Sequence, residues 1–160
     1  MLSKNFYSYM RAAFQRNQAN FITTNGEEAT TNIDSTHTGM FEALNKWANN
    51  SVSPGVQFGT GTTPATASDY FLQSILTPSQ IDVSTPSAVS YSRGDTFDEY
   101  SVSFGVTNKT ADAITISEVG LIVCPYANNY VLVDRTLLDE PVTIPAGQSK
   151  QITYTIRFNY

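Results

Sequence analysis

The fold is decided by the stretch Tyr100-Ser101-Val102-Ser103-Phe104-Gly105-Val106-Thr107, which alternates large apolar residues with small polar ones. Alternation with a period of two places the apolar side chains on one face of a strand and the polar ones on the other. It is typical of an antiparallel sheet with one face buried and one face in water. The stretch Gln151-Ile152-Thr153-Tyr154-Thr155-Ile156-Arg157-Phe158 repeats the pattern. Both stretches therefore predict long antiparallel strands.

Two further apolar runs lie between these strands, at residues 114–123 and 130–135. The first run keeps one phase up to Ile116 and the opposite phase from Val119 onwards, which predicts a bulge near Ser117-Glu118. We expect Glu118 to occupy a hydrogen-bonded position at that bulge. Turn-forming residues separate the strands at 108–112, 127–129 and 145–148.

Regularly spaced strands of this kind predict a mainly β protein. We expect an antiparallel β-sandwich, Ig-like or jelly-roll-like, with roughly seven or eight strands and a short N-terminal helical arm. We divide the chain into an arm at 1–20, a segment with a hairpin and a short helix at 21–53, and a β-sandwich domain at 54–160.

Helical spacing is confined to the first third of the chain. Asn25-Gly26 predicts the turn of a hairpin. Residues 39–49 predict a short helix, with Trp47 as an anchor in the core. Residues 3–18 predict an amphipathic helix, because apolar residues recur there on one stripe.

The amphipathic arm supplies the candidate interface residues. Four of its apolar side chains are proposed for contact with a neighbouring subunit: Phe6, Tyr7, Met10 and Phe14. A terminal helix that packs on its own domain is the alternative, and the sequence leaves both open.

Composition argues against several classes of function. Charged residues make up 14% of the chain, the net charge is −5 at pH 7, and the basic residues form no cluster, so we do not expect nucleic acid as the main partner. No apolar run approaches the roughly 20 residues of a membrane span. The N-terminal stretch lacks the apolar region of a signal peptide, which favours synthesis in a cytoplasm. The single cysteine, Cys124, lies in an apolar run and is expected to be a buried thiol.

The residues that carry chemistry do not form a recognisable catalytic or metal-binding set. His37 is the one histidine, so a site with several imidazole ligands is impossible. The acids Asp95, Asp98 and Glu99 lack the spacing of a calcium loop and predict a solvated turn. Gly59-Thr60-Gly61 lacks the Gly-Lys-Ser/Thr of a phosphate loop. We therefore expect no catalytic residues, no cofactor, no metal and no enzymatic activity.

Several blocks resemble small structural proteins of tailed-phage virions, among them tail-collar fibre proteins. Residues 55–72 resemble their pattern of a strand ending in Gly-x-Gly-x-x-x-Pro, followed by Asp-Tyr-x-Leu. Residues 114–121 are similar to their Ile-x-Glu-(Ile/Val)-Gly-Leu strand. The stretches 132–135, 141–147 and 152–158 resemble the end of the same proteins. Within the first block, the glycines predict a turn, Pro64 ends strand pairing, and Asp69 is expected to cap the segment after it.

The resemblance implies a structural component of a tailed-phage virion, in the tail, collar or head–tail connection, that acts by subunit assembly. Its partners would be copies of itself and other virion proteins, and its location the virion, assembled in the cytoplasm of a bacterial host. A capsid decoration protein and a β-sandwich module that binds a host receptor or glycan are the alternatives.

Overall fold

Two antiparallel sheets form most of the protein in the computed structural model, which describes residues 1–15, 18–31, 39–126 and 128–159, excluding the side chains of 12–15, 31 and 41. In chain order the elements are α1 (Lys4–Gln15), β1 (Ala19–Ile22), β2 (Glu28–Thr31), α2 (Met40–Leu44), β3 (Gly55–Gly59), β4 (Ile81–Val83), β5 (Ser90–Arg93), β6 (Phe97–Asn108), β7 (Ile114–Tyr126), β8 (Asn129–Ile144) and β9 (Ser149–Asn159).

The two large sheets pack face to face. One has the order β3-β7-β8. In the other, β6 lies in the middle, with β9 along one side and β4 and β5 along the other. Phe58 of the first sheet meets Phe104 of the second edge to face in the core, with ring centroids 5.6 Å apart. The expected mainly β, antiparallel sandwich with a short N-terminal helix is confirmed.

The predicted irregularity near Ser117-Glu118 is a large bulge in the β7–β8 pair. Ile116 pairs with Val142, whereas Glu118 pairs with Leu137. One residue of β7 therefore faces four residues of β8, and the extra residues belong to the partner strand. Because the bulge reverses the phase of β7, Val119 points into the core and Glu118 to the opposite face of the sheet.

That opposite face of β7 is covered by the chain between β3 and β4. Leu72 from this connection packs with Ile122 of β7 and Leu132 of β8 in a small apolar cluster of its own. The middle of β7 is consequently buried on both faces. We call residues 60–76 the covering loop.

Several sequence-based bounds were wrong. Helix α2 is much shorter than the predicted 39–49, whereas α1 is described from Lys4 to Gln15 within the predicted 3–18, with 16 and 17 outside the described residues. The second helix ends because Lys46 and Ala48 form backbone hydrogen bonds of 2.8 and 2.9 Å with Val56 instead. Trp47 packs, partly buried, against the core. The described residues form nine strands, and β4 and β5 are short pieces that the polar sequence of 79–93 did not reveal.

The predicted hairpin around Asn25-Gly26 is present as β1 and β2. Its residue Phe21, together with Phe6 of the arm and Leu44 of α2, belongs to the same apolar cluster as the core of the sandwich. The arm, the hairpin segment and the sandwich thus share one core.

Candidate functional site

A buried arginine connects the sheet to the covering loop. Arg135 lies on β8 and has no exposed surface. Its Nε donates a hydrogen bond to Oε2 of Glu118 at 2.7 Å, and its Nη1 donates to Oδ2 of Asp69 at 2.8 Å. Its Nη2 donates to the backbone carbonyl of Thr63 at 2.9 Å. We call Arg135, Glu118 and Asp69 the Arg135 cluster.

Backbone amides of the covering loop surround the Glu118 carboxylate. Oε1 accepts hydrogen bonds from the amides of Gly61 at 3.1 Å and Ser74 at 2.9 Å, and Oε2 accepts one from Gln73 at 3.3 Å. With Arg135, these donors fill about four acceptor positions, which is the capacity of a carboxylate. The cluster has two carboxylates and one guanidinium, so the amides also stabilise its excess negative charge.

Asp69 fixes the middle of the covering loop. Its carboxylate accepts hydrogen bonds from the amide and the hydroxyl of Thr66 at 2.9 and 2.8 Å. Burial by itself raises the pKa of Asp69, but the hydrogen bonds from Thr66 and Arg135 outweigh it and hold the pKa below its ordinary value. The expectation that Asp69 caps the segment after it was wrong, because its side chain bonds back to the preceding turn and to Arg135.

The two glycines of Gly59-Thr60-Gly61 allow the loop to approach Glu118. A Cβ on Gly59 would lie 2.6 Å from Oε1 of Glu118, and a Cβ on Gly61 would clash with the same oxygen. No side chain can be accommodated that close to a buried carboxylate without displacing the loop. These glycines therefore serve contact with an acid of the same chain.

Adjacent strands place the acid and the base together. Glu118 pairs with Leu137, so it is the diagonal neighbour of Arg135 on the same face of the β7–β8 pair. The bulge turns Glu118 away from the core and towards the loop. With every acceptor position of Glu118 occupied, this arrangement holds a loop in place and leaves the carboxylate no free position to accept a proton from a substrate.

A second buried acid connects the two sheets. Tyr154 of β9 donates a hydrogen bond from its hydroxyl to Oδ2 of Asp134 on β8 at 2.8 Å. Burial, together with the negative charge of Asp134, raises the pKa of Tyr154 well above its ordinary value. Thr136 donates to the same carboxylate oxygen at 3.0 Å. These contacts fasten one edge of the sandwich.

The four candidate interface residues of the arm differ in their surroundings. Phe6 is buried and stacks on Phe158, with ring centroids 5.7 Å apart. Met10 is partly buried against the core. Tyr7 is 62% exposed and remains available for an outside contact. The side chain of Phe14 lies outside the described residues.

Hydrogen bonds also tie the arm to the sandwich. Ser3 bonds to β8 twice, since its amide donates to the carbonyl of Val133 and its hydroxyl to that of Leu132. The Asn5 side chain exchanges two hydrogen bonds with the backbone of Ile22, at 2.7 and 2.9 Å. The described arm is thus fixed on its own chain by residues that the amphipathic pattern did not single out.

Three other residues considered from the sequence are buried or form ion pairs within the chain. Cys124 is buried as predicted, and burial raises the pKa of its thiol. Asp98 forms an ion pair with Arg93, and Glu99 forms one with Arg157. His37 lies outside the described residues.

Within the described ranges, no group of three or more His, Cys, Asp or Glu side chains is placed to hold a metal ion. Neither α1 nor α2, the helices of that part of the chain, is long and apolar enough to cross a membrane. No protein-family model, curated protein or solved structure matches the chain.

Sequence reasoning found Glu118 but missed its partners. The prediction that Glu118 occupies a hydrogen-bonded position at a bulge is confirmed. Arg135 gave a usable signal, because it ends the apolar run 130–135, and a buried arginine requires an acid. Asp69 gave no such signal, since its partner is 66 residues away in sequence.

Proposed function

We propose that this protein is a structural component of a tailed-phage virion and acts by subunit assembly. One observation carries the proposal: three of the sequence blocks that resemble phage structural proteins meet in the Arg135 cluster. Asp69 comes from the first block, Glu118 from the second and Arg135 from the third. These three residues thus have a common physical role in this chain, which is to fasten the covering loop to the sheet.

The chemistry of the cluster supports a structural role over catalysis. The carboxylate of Glu118 is fully buried and engaged by backbone amides and by Arg135. A general base needs a free acceptor position within reach of a substrate. A loop fastened to a sandwich in this way suits a subunit whose surfaces must fit neighbouring subunits in a fixed geometry.

The proposed partners are copies of this chain and other virion proteins, in the tail, the collar or the head–tail connection. The exposed ring of Tyr7 on the arm is one candidate contact. Assembly would take place in the cytoplasm of the host bacterium.

Mass spectrometry of purified particles, produced by the phage that encodes the chain, tests the proposal. We expect the protein in gradient-purified particles at a stoichiometry of several copies, and gold-labelled antibody at the tail or neck. Absence from the particles would refute a virion role. Label distributed over the head would instead support a capsid decoration protein.

A second candidate function, binding of a host receptor or glycan, is favoured by exposed apolar side chains at one end of the sandwich. Val52, Phe71 and Tyr126 are each at least two-fifths exposed. Thr24 connects the segments of Val52 and Tyr126, because its amide bonds to the carbonyl of Tyr130 and its hydroxyl to that of Ser51. A Cβ on Gly26 of the same turn would lie 3.2 Å from the ring of Tyr70, the neighbour of Phe71. Exposed aromatic rings of this kind stack on sugars and other flat apolar groups.

A glycan array probed with the full chain and with Phe71→Ala tests this candidate. Binding of the wild type that Phe71→Ala abolishes would support it. An array on which the wild type binds nothing would count against it.

A further inference from the structure

The free edge of β9 differs from the other sheet edges. At β3, Gly59 is bridged by Ile75 and Val56 by Trp47, while the edge of β8 is bridged by Leu2 and interrupted by the bulge. Strands β4 and β5 are only three and four residues long. Short strands, bulges and covered edges are the usual protection against strand addition.

Strand β9 has none of these protections in the described part of the chain. It is 11 residues long and contains neither proline nor glycine. Its register with β6 runs without a shift from Ser149 to Asn159. A long, regular edge strand presents unpaired backbone groups that can pair with another strand.

The backbone groups that face outward belong to the odd-numbered residues of β9. The carbonyls of Gly105 and Ser103 accept hydrogen bonds from Ser84 and Ser87, so odd residues of β6 face away from β9. Even residues of β6 therefore face β9, as the bond from the Asn108 amide to the Gln148 carbonyl also indicates. Opposite residues of an antiparallel pair exchange their bonds, so the even residues of β9 face β6.

Among the described residues, no hydrogen bond reaches the outward backbone groups of Gln151, Thr153 or Thr155. The side chains of Thr153 and Thr155 are already bonded to Ser103 and Ser101 of β6. Their hydroxyls are thereby satisfied within the sheet, which lowers the cost of covering them. The outward backbone amides and carbonyls of these residues are the groups that remain to be paired.

We propose that β9 pairs antiparallel with β9 of a second copy of this chain, joining two sandwiches through a continuous sheet. The inference rests on the proposed assembly function for its biological role. A second copy fits because an antiparallel pair of identical strands is related by a two-fold axis and closes as a dimer.

The side chains of β9 match in the register that overlaps the two strands completely. Tyr154 then lies on the two-fold axis, and Ile152 faces Ile156 of the other copy on the core side of the sheet. Thr153 faces Thr155, and Gln151 faces Arg157, on the outer side. No like charges oppose each other, and paired β-branched side chains stabilise a sheet.

Thr153→Pro removes one outward amide and tests the pairing. Proline is tolerated at an edge where the amide faces solvent, so the fold should remain. Thr153→Val is the matched control, because it also loses the hydroxyl but keeps the amide. The full chain and both variants are compared by analytical ultracentrifugation over a range of concentrations, with melting curves to check the fold.

We expect a dimer for the wild type and for Thr153→Val, and a dissociation constant raised by about tenfold or more for Thr153→Pro. In hydrogen exchange by NMR, the amides of Gln151, Thr153 and Thr155 should become protected as the wild-type concentration rises. This measurement decides the matter even if Thr153→Pro does not fold.

A wild type that stays monomeric at all concentrations overturns the proposal, as does a dimer whose odd-numbered β9 amides exchange freely. Protection of these amides only on addition of another virion protein also overturns it, because the edge then takes a foreign strand. If the pairing fails while the chain is present in purified particles, the edge contact is refuted and the virion role stands. Absence from particles refutes that role, whereas the pairing is judged by the solution measurements alone.

Discussion

Nε of Arg135 lies 2.7 Å from Oε2 of Glu118, and neither side chain has any surface exposed to solvent. The two residues are diagonal neighbours on β8 and β7, on the face that the covering loop protects. Removal of one partner from a buried ion pair leaves a charge that neither water nor protein compensates. The covering loop should therefore depend on both side chains.

Arg135→Met should lower the free energy of unfolding by about 3–5 kcal/mol, because Glu118 and Asp69 lose their shared cation. The measurement is urea denaturation followed by circular dichroism. Arg157→Met is the matched control, since Arg157 pairs with Glu99 but its side chain is 53% exposed. We expect about 1 kcal/mol or less for the control. Equal losses for the two variants would contradict the structural role of the cluster.

The contribution of Asp69 to stability should depend on pH. Its pKa is held below the ordinary value of 3.8 in the folded protein, so the ionised form stabilises the fold above that pH. The stabilisation is lost as the pH falls through the lower, folded pKa.

The difference in unfolding free energy between the wild type and Asp69→Asn should therefore be constant from about pH 7 to pH 5 and shrink below about pH 4. Asp139→Asn, at an exposed position of β8, controls for the loss of a negative charge. If the difference in unfolding free energy between the wild type and Asp69→Asn grew on acidification, the carboxyl of Asp69 would not be stabilised in its charged form.

Substitutions of two neighbouring aromatic residues distinguish packing of the arm on its own domain from contact of the arm with a neighbouring subunit. Phe6→Ala should destabilise the protein by about 3–5 kcal/mol, because Phe6 is buried against Phe158. Tyr7→Ala should cost less than about 1 kcal/mol, since Tyr7 is largely exposed. Thermal and urea unfolding of both variants provide the comparison. If Phe6→Ala melts like the wild type, the helix does not pack on its own domain in solution.

The same pair also tests the docking hypothesis for the arm. A Tyr7→Ala protein that folds normally but is no longer incorporated into particles would assign Tyr7 to a contact with a neighbouring subunit. Normal incorporation would remove Tyr7 from the candidate interface residues.

Cys124 should react slowly with Ellman's reagent in the native protein and rapidly in denaturant. It is buried on β7, and burial raises the pKa of its thiol, so little thiolate is present at neutral pH. Cys124→Ala/Asp95→Cys places the only thiol in an exposed turn and should react rapidly in the native state. Rapid reaction of native Cys124 would show that this end of β7 opens readily.

Sequence patterns predicted the strands better than the helices and the cluster. The alternation in 100–107 and 151–158 anticipated β6 and β9, and the change of phase after Ile116 anticipated the bulge. The predicted helix at 39–49 was too long because Lys46 and Ala48 form backbone bonds with Val56, a competing contact that helical spacing does not reveal.

The sequence by itself determined the local and periodic features: the mainly antiparallel β fold, the Asn25-Gly26 hairpin, the bulge and the buried Cys124. These features arise from side-chain alternation and turn chemistry, which act over a few residues. Only the tertiary structure decided that Arg135 pairs with both Glu118 and Asp69, and that the edge of β9 lies open within the described chain. Such relationships depend on how distant segments meet, because residues far apart in sequence become neighbours only when the sheets pack and the covering loop closes over β7.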